Sequence, residues 1–152
     1  MQQFEKAMEI RWADLDQNGH VRHSAYYDYG AQVRIHFLAR SGLTGKKMKE
    51  LKVGPVLFKE ECTFIKELSP NDSIRVNIKK GGVPGAKWVF HHEIINQRGE
   101  KCAHIKVQGA WLDLESRKLT VPPEGTFEAI NQLPLGEDYT YQKQSKGETK
   151  TS

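Results

Sequence analysis

Between Pro55 and Leu114 the chain reads as four extended runs separated by turn chemistry, and this stretch limits the available folds more than any other. Ile74, Val76 and Ile78 alternate with Arg75, Asn77 and Lys79, the period of two that turns one face of a strand inward and the other outward. A strand over residues 56–67 precedes this run across Ser69-Pro70-Asn71-Asp72. Strands over 87–96 and 101–114 follow it, joined by Gly81-Gly82-Val83-Pro84-Gly85 and Gln97-Arg98-Gly99-Glu100. Successive hairpins make an antiparallel sheet, and its apolar face needs a cover.

The cover is a helix. Tyr26, Gly30, Val33 and Phe37 fall at helical spacing between Ser24, a candidate N-cap, and Gly42, a stop signal. Gly30 within that stripe costs about 1 kcal/mol of helix propensity relative to Ala, which predicts close approach of the helix backbone to the sheet. Residues 44–51 predict a second, short helix. Phe4, Met8, Ile10 and Trp12 on even positions, with Glu5, Glu9 and Arg11 between them, predict a first strand. Another short helix is expected near 127–131, beyond Pro122-Pro123. The reading is α+β, an antiparallel five-stranded sheet wrapped around a long central helix. One domain over 1–135 is expected, followed by a polar, disordered tail over 136–152.

Charge adds exclusions. The formal net charge of +4 in 152 residues comes from interspersed basic and acidic residues. Lys46-Lys47-Met48-Lys49 and Lys79-Lys80 are too short to form a nucleic-acid stripe. No run of about 18 apolar residues exists, so membrane insertion is not expected. Cys62 and Cys102 form no C-x-x-C pair and fit a reducing cytoplasm.

Asp14, Asp16, Asn18 and Gly19 occupy the first, third, fifth and sixth places of a calcium loop. The twelfth place, which requires a bidentate Glu, is Ala25, and the ninth is the cationic Arg22. Calcium is therefore not expected, nor is any other metal or cofactor.

The run Asp14-x-Asp16-x-x-Gly19-x-Val21-x-x-x-x-Tyr26, between a strand and a long helix, resembles the signature of hotdog-fold thioesterases of the 4-hydroxybenzoyl-CoA type. His23 and Tyr26 match the acyl-CoA branch, whereas Asp14-Leu15-Asp16-x-Asn18-x-His20-Val21 is similar to the acyl-ACP thioesterases. Two further stretches, Leu68-Ser69-Pro70-Asn71-Asp72-Ser73-Ile74 and Trp111-Leu112-Asp113-Leu114, extend the resemblance to about residues 4–125. Ala25 departs from the acyl-CoA branch and Arg22-His23 from the acyl-ACP branch, which leaves the acyl group open.

The resemblance implies hydrolysis of acyl-CoA, with acyl-ACP hydrolysis or non-catalytic thioester binding as alternatives. A homodimer, or a tetramer built from dimers, would form the sites between subunits. Asp16 is the expected nucleophile or general base, and the helix N-terminus, through the His23 amide, the expected oxyanion site. Asn18, Gly19, His20, Tyr26 and Glu61 are the substrate-binding candidates, Glu61 from a partner subunit. Arg22, Lys46 and Lys47 are candidates for the coenzyme phosphates by charge. Asp14 reads as a structural Asx residue and Tyr26 also as helix–sheet packing. Of His91 and His92, and of Glu60 and Glu61, strand alternation sends one inward and one outward.

Overall fold

The computed structural model describes residues 3–137. The elements run β1 (Phe4–Met8), a 3₁₀ turn (Trp12–Asp14), α1 (His23–Arg40), α2 (Gly45–Leu51), β2 (Val53–Phe64), β3 (Ile74–Lys80), β4 (Lys87–Ile95), β5 (Lys101–Asp113), β6 (Leu119–Thr120) and α3 (Glu124–Asn131). The sheet order is β1-β3-β4-β5-β2, with every neighbouring pair antiparallel. β6 adds a sixth strand, paired to the end of β5 through Trp111↔Thr120 and Leu112↔Leu119. Two residues are too few to carry a readable period, so the sequence showed only the flanking turn.

Alternation builds one apolar face. Ile74, Val76 and Ile78 of β3, Trp88, Phe90 and Ile94 of β4, and Ala103, Ile105 and Val107 of β5 are all buried there. Tyr26, Tyr29, Val33 and Phe37 of α1 complete the core. Gly30 lets the helix seat deeply: a methyl there would lie 3.0 Å from His92 Cδ2 and 3.4 Å from Ile105 Cδ1. His92 thus faces α1 while His91 lies on the other face, paired with Lys79 and Lys106.

Several boundaries differ from expectation. β1 stops at Met8, and Trp12 is 89% exposed, because Asp14 captures the Arg11 amide and guanidinium and bends the chain into the 3₁₀ turn. α1 begins at His23 with Arg22, not Ser24, at the N-cap. β2 starts earlier and ends earlier than 56–67. It ends at Phe64 because the Ile65 and Lys66 amides both donate to the Cys102 carbonyl, closing the ladder. After α3 the Lys80 amide donates to Pro134 O at 2.9 Å and the Gly136 amide to Lys80 O at 2.7 Å. Gly136 packs on the His91 ring, where a methyl would lie 2.5 Å from Cδ2. The expected disordered tail otherwise lies outside the described residues.

β2 carries a bulge between Leu57 and Lys59, directly across from Gly109 of β5. A Cβ on Gly109 would sit 2.1 Å from the Val56 carbonyl oxygen and 2.3 Å from Trp88 Cζ2. Neither backbone nor packed indole can move aside cheaply. Gly109→Ala is therefore expected to lower unfolding free energy by about 3 kcal/mol, measured by urea denaturation.

Candidate active site

The loop between β1 and α1 holds two carboxylates in opposite environments. Asp14 is 0% exposed. Its Oδ2 accepts from the Arg11 amide and the Tyr29 hydroxyl, both at 2.9 Å, and its Oδ1 accepts from Arg11 Nη2 at 2.9 Å. Burial pushes this carboxyl up, but the hydrogen bonds from Arg11 and Tyr29 outweigh it and hold the group below its ordinary value. Burial and the facing carboxylate push the Tyr29 phenol up. Every acceptor of Asp14 is committed inside the protein, which makes it the pedestal of the loop. Its backbone carbonyl also accepts from the Arg22 amide at 2.8 Å, tying the entry of α1 to the same point.

Asp16 lies two residues on and is exposed. Leu15 and Val21 form a bridge, inside which the Asp16 amide donates to His20 O at 2.7 Å and the Gly19 amide to Asp16 O at 3.1 Å. Gly19 closes this turn at φ +80, a conformation that L side chains resist. The side-chain Oδ1 accepts from the Asn18 amide at 2.9 Å and the His20 amide at 3.1 Å. Oδ2 accepts no hydrogen bond among the described residues. The carboxylate is oriented through one oxygen while the other stays open.

α1 begins beside it. Arg22 has no side-chain acceptor and makes no cap hydrogen bond, so the His23 and Ser24 amides have no acceptor among the described residues, while the Ala25 amide donates to Arg22 O at 3.0 Å. Its guanidinium folds back instead, with Nε 3.3 Å from Ala13 O and Nη2 3.7 Å from Asp28 Oδ2. The helix dipole and open amides favour negative charge at this end.

Asp16, Asn18, His20, His23 and Tyr26 line one cleft of about 450 Å³. Residues 64–67, at and just past the end of β2, form the opposite wall. The sequence did not single out these four, although the Leu68-Ser69-Pro70 turn that returns the chain past the loop was its visible trace. His20 Nε2 lies 3.4 Å from Glu67 Oε2 across the cleft. Tyr26 is mostly a packing residue, its ring 4.9 Å edge-on from Phe64. Glu61 does not line this cleft. It pairs with Lys106 on the face away from α1, whereas Glu60 faces the helix and meets Arg34 at 3.7 Å.

Replacing Asp14 strands the buried Tyr29 hydroxyl and releases Arg11. Asp14→Ala is expected to cost about 3 kcal/mol near neutral pH. Because the folded-state value of this carboxyl lies below the ordinary 3.8, its stabilisation is complete above 3.8 and is lost as pH falls through the folded value. Urea titrations of wild type and variant should therefore converge in acid.

The geometry meets a family match. Residues 10–130 match the thioesterase-like superfamily. The uncharacterized protein YsmA of Bacillus subtilis is 20% identical over 99 residues, and the match covers 65% of each chain, just under two thirds of that relative. A hypothetical Staphylococcus aureus protein solved in complex with CoA superposes with a TM-score of 0.82 at 18% identity, covering 90% of this chain and 89% of that one. A 1,4-dihydroxy-2-naphthoyl-CoA thioesterase from Synechocystis gives a TM-score of 0.79 at 17% identity, covering 87% of this chain and 98% of that one. At these identities the structural likeness is one of fold, and the sheet with its central helix is the hotdog arrangement. The chain belongs to the thioesterase-like superfamily.

Proposed function

We propose that the chain hydrolyses acyl-CoA thioesters, with Asp16 as the reacting carboxylate and the N-terminus of α1 as the oxyanion site. The observation that carries this reading is that a carboxylate with one free oxygen and an uncapped helix N-terminus line the same cleft. Negative charge developing on the carbonyl oxygen is met by the first-turn amides. Asp16 either takes a proton from the attacking water or attacks the carbonyl itself, forming an anhydride that water then opens. The leaving thiolate has a conjugate acid near pKa 8–9, so it departs without a strong general acid. His23 contributes its backbone amide, and Asn18, Gly19 and His20 shape the turn that presents Asp16. No step requires a metal or cofactor.

The CoA complex of the S. aureus neighbour supports a CoA carrier. No helix of the described residues is long and apolar enough to cross a membrane, and Cys62 and Cys102 are free thiols. Both observations support a cytoplasmic location.

The reading includes a homodimer. β2 is a 12-residue edge strand with Leu57, Phe58 and Phe64 exposed, the kind of long apolar edge that invites another strand. Two copies of β2 paired antiparallel cover that edge. Such pairing carries the second copy's α2, with Lys46 and Lys47, toward the cleft where coenzyme phosphates would lie.

Asp16→Asn keeps an acceptor for the Asn18 and His20 amides, so its melting temperature should match wild type. Its turnover of acyl-CoA, read by free-thiol release, should fall by about 10²–10⁴. Undiminished hydrolysis would sink the mechanism, and release from acyl-ACP alone would reassign the carrier. His23→Ala retains the amide and should keep most of the rate. Phe58, 61% exposed on the edge, tests assembly. Phe58→Lys should sediment as a monomer with little activity, whereas an active monomer would exclude the shared site.

A further inference from the structure

A second pocket, of about 210 Å³, lies between the later turns of α1 and the sheet. Trp88, Phe90 and Trp111 line it from the sheet, Ile35 and Leu38 from the helix, and Leu57 from the edge strand. One cation enters this apolar lining. Arg34 has a side chain only 13% exposed, with Nη1 3.0 Å from His92 Nε2 and Nη2 3.7 Å from Glu60 Oε2. His92 Nδ1 is 2.9 Å from the Asn77 carbonyl oxygen, so an imidazole that donates there presents Nε2 as the acceptor for Arg34. Burial, with the Arg34 charge adding to it, pushes that imidazole down to about 3 and keeps it neutral.

The guanidinium carries five N–H donors in a rigid fork. His92 takes one, and the Glu60 contact is longer than a hydrogen bond. The remaining donors are available to an acceptor that enters the pocket, whose lining also holds the buried indole N–H of Trp88, unpartnered among the described residues. The volume limits what that is. A cavity of about 150 Å³ accommodates benzene, so this one has room for a compact group.

We propose that this pocket receives the acyl group of the substrate and that Arg34 selects compact acyl groups bearing an oxygen acceptor remote from the thioester. The assignment rests on the Asp16 cleft and the β2-paired dimer. Within one copy the two sites are far apart, because Leu57 and Phe64 are separated by about 23 Å of strand at roughly 3.3 Å per residue. A twofold axis between Glu60 and Glu61 removes this separation, setting Leu57 of one copy opposite Phe64 of the other. A thioester whose carbonyl sits at Asp16 of one copy then reaches its acyl end into the pocket of the second. There the acceptor oxygen meets the Arg34 fork, which His92 and Glu60 hold in place.

Binding of non-hydrolysable CoA thioethers tests this without depending on turnover. Calorimetry would compare the S-(2-oxoalkyl) analogues of octanoyl-, ω-hydroxyoctanoyl- and hexadecanoyl-CoA. The hydroxylated analogue should bind about tenfold more tightly than its parent, the worth of one charge-assisted hydrogen bond, and the hexadecanoyl analogue most weakly. Arg34→Met should erase the preference, so that the hydroxylated analogue and its parent bind alike. Ile35 is 66% exposed at the pocket, so Ile35→Trp can narrow the space without disturbing the core, and it should weaken both eight-carbon analogues. Equal binding of the matched pair, tightest binding of the long chain, or an Ile35→Trp variant with wild-type affinity would each overturn the proposal. Should Arg34→Met not fold, the wild-type pair and Ile35→Trp still decide. Free-thiol release from hydrolysable octanoyl-CoA by Asp16→Asn, set beside the binding series in wild type, separates the two readings. A wild-type preference with undiminished hydrolysis by Asp16→Asn fails the Asp16 site alone, and equal wild-type binding of the matched pair with abolished hydrolysis by Asp16→Asn fails the pocket alone.

Discussion

The buried carboxylate of Asp14 organises one end of this molecule. It sits where the first strand, the Asp16 loop and the central helix converge, and it fastens all three. Arg11 reaches it from the end of the strand, Tyr29 from the helix, and its own carbonyl takes the Arg22 amide at the helix entrance. An ionised group held this way is rigid, since its partners are fixed in direction and water is excluded. Asp16 can therefore be exposed without being loose. Two residues of the same chemical type do opposite work because one has spent its acceptors inside the fold and the other has kept one oxygen outside.

Charge on the far side of the sheet follows similar rules. Burial pushes the Glu93 carboxyl up, but Lys101, Asn77 and Lys79 hold it down at about 2, so a carboxylate stays ionised between strands β3, β4 and β5. The two sheet faces thus differ in kind. Hydrocarbon packs against α1 on one, with Arg34, His92 and Glu60 as its polar inclusion, and paired ions cover much of the other.

What was legible in the sequence depended on range. Ile74, Val76 and Ile78 declared their strand because one face is buried throughout, and Gly30 declared the helix–sheet approach because little else explains a glycine in an apolar stripe. The first strand was read too long. Trp12 fell on the expected parity by coincidence, while Asp14, from two residues further on, bent the chain away from the sheet. Ser24 looked like the better cap by residue type, yet Arg22 holds the position because its amide is bound to Asp14. Loop residues from Asp16 to Tyr26 were recognisable as a unit because they are contiguous. The Arg34 pocket was not, since Leu57, Trp88 and Trp111 come from three strands and only register brings them together. Parity also decided between Glu60 and Glu61, and parity in β2 cannot be fixed without the bulge at Leu57 and Lys59.

The seating of Gly136 on His91 bears on how the protein can be handled. The chain reaches its last described residues on the face turned away from α1, where Gly136 meets His91. A fluorophore or surface linkage placed at Glu137 itself therefore sits on the side remote from Asp16. One placed at Gln3 sits beside β1, whose Phe4 ring packs against Phe37 of the helix. For labelled or tethered forms, Glu137 is the described position that sets the attachment behind the sheet from the cleft.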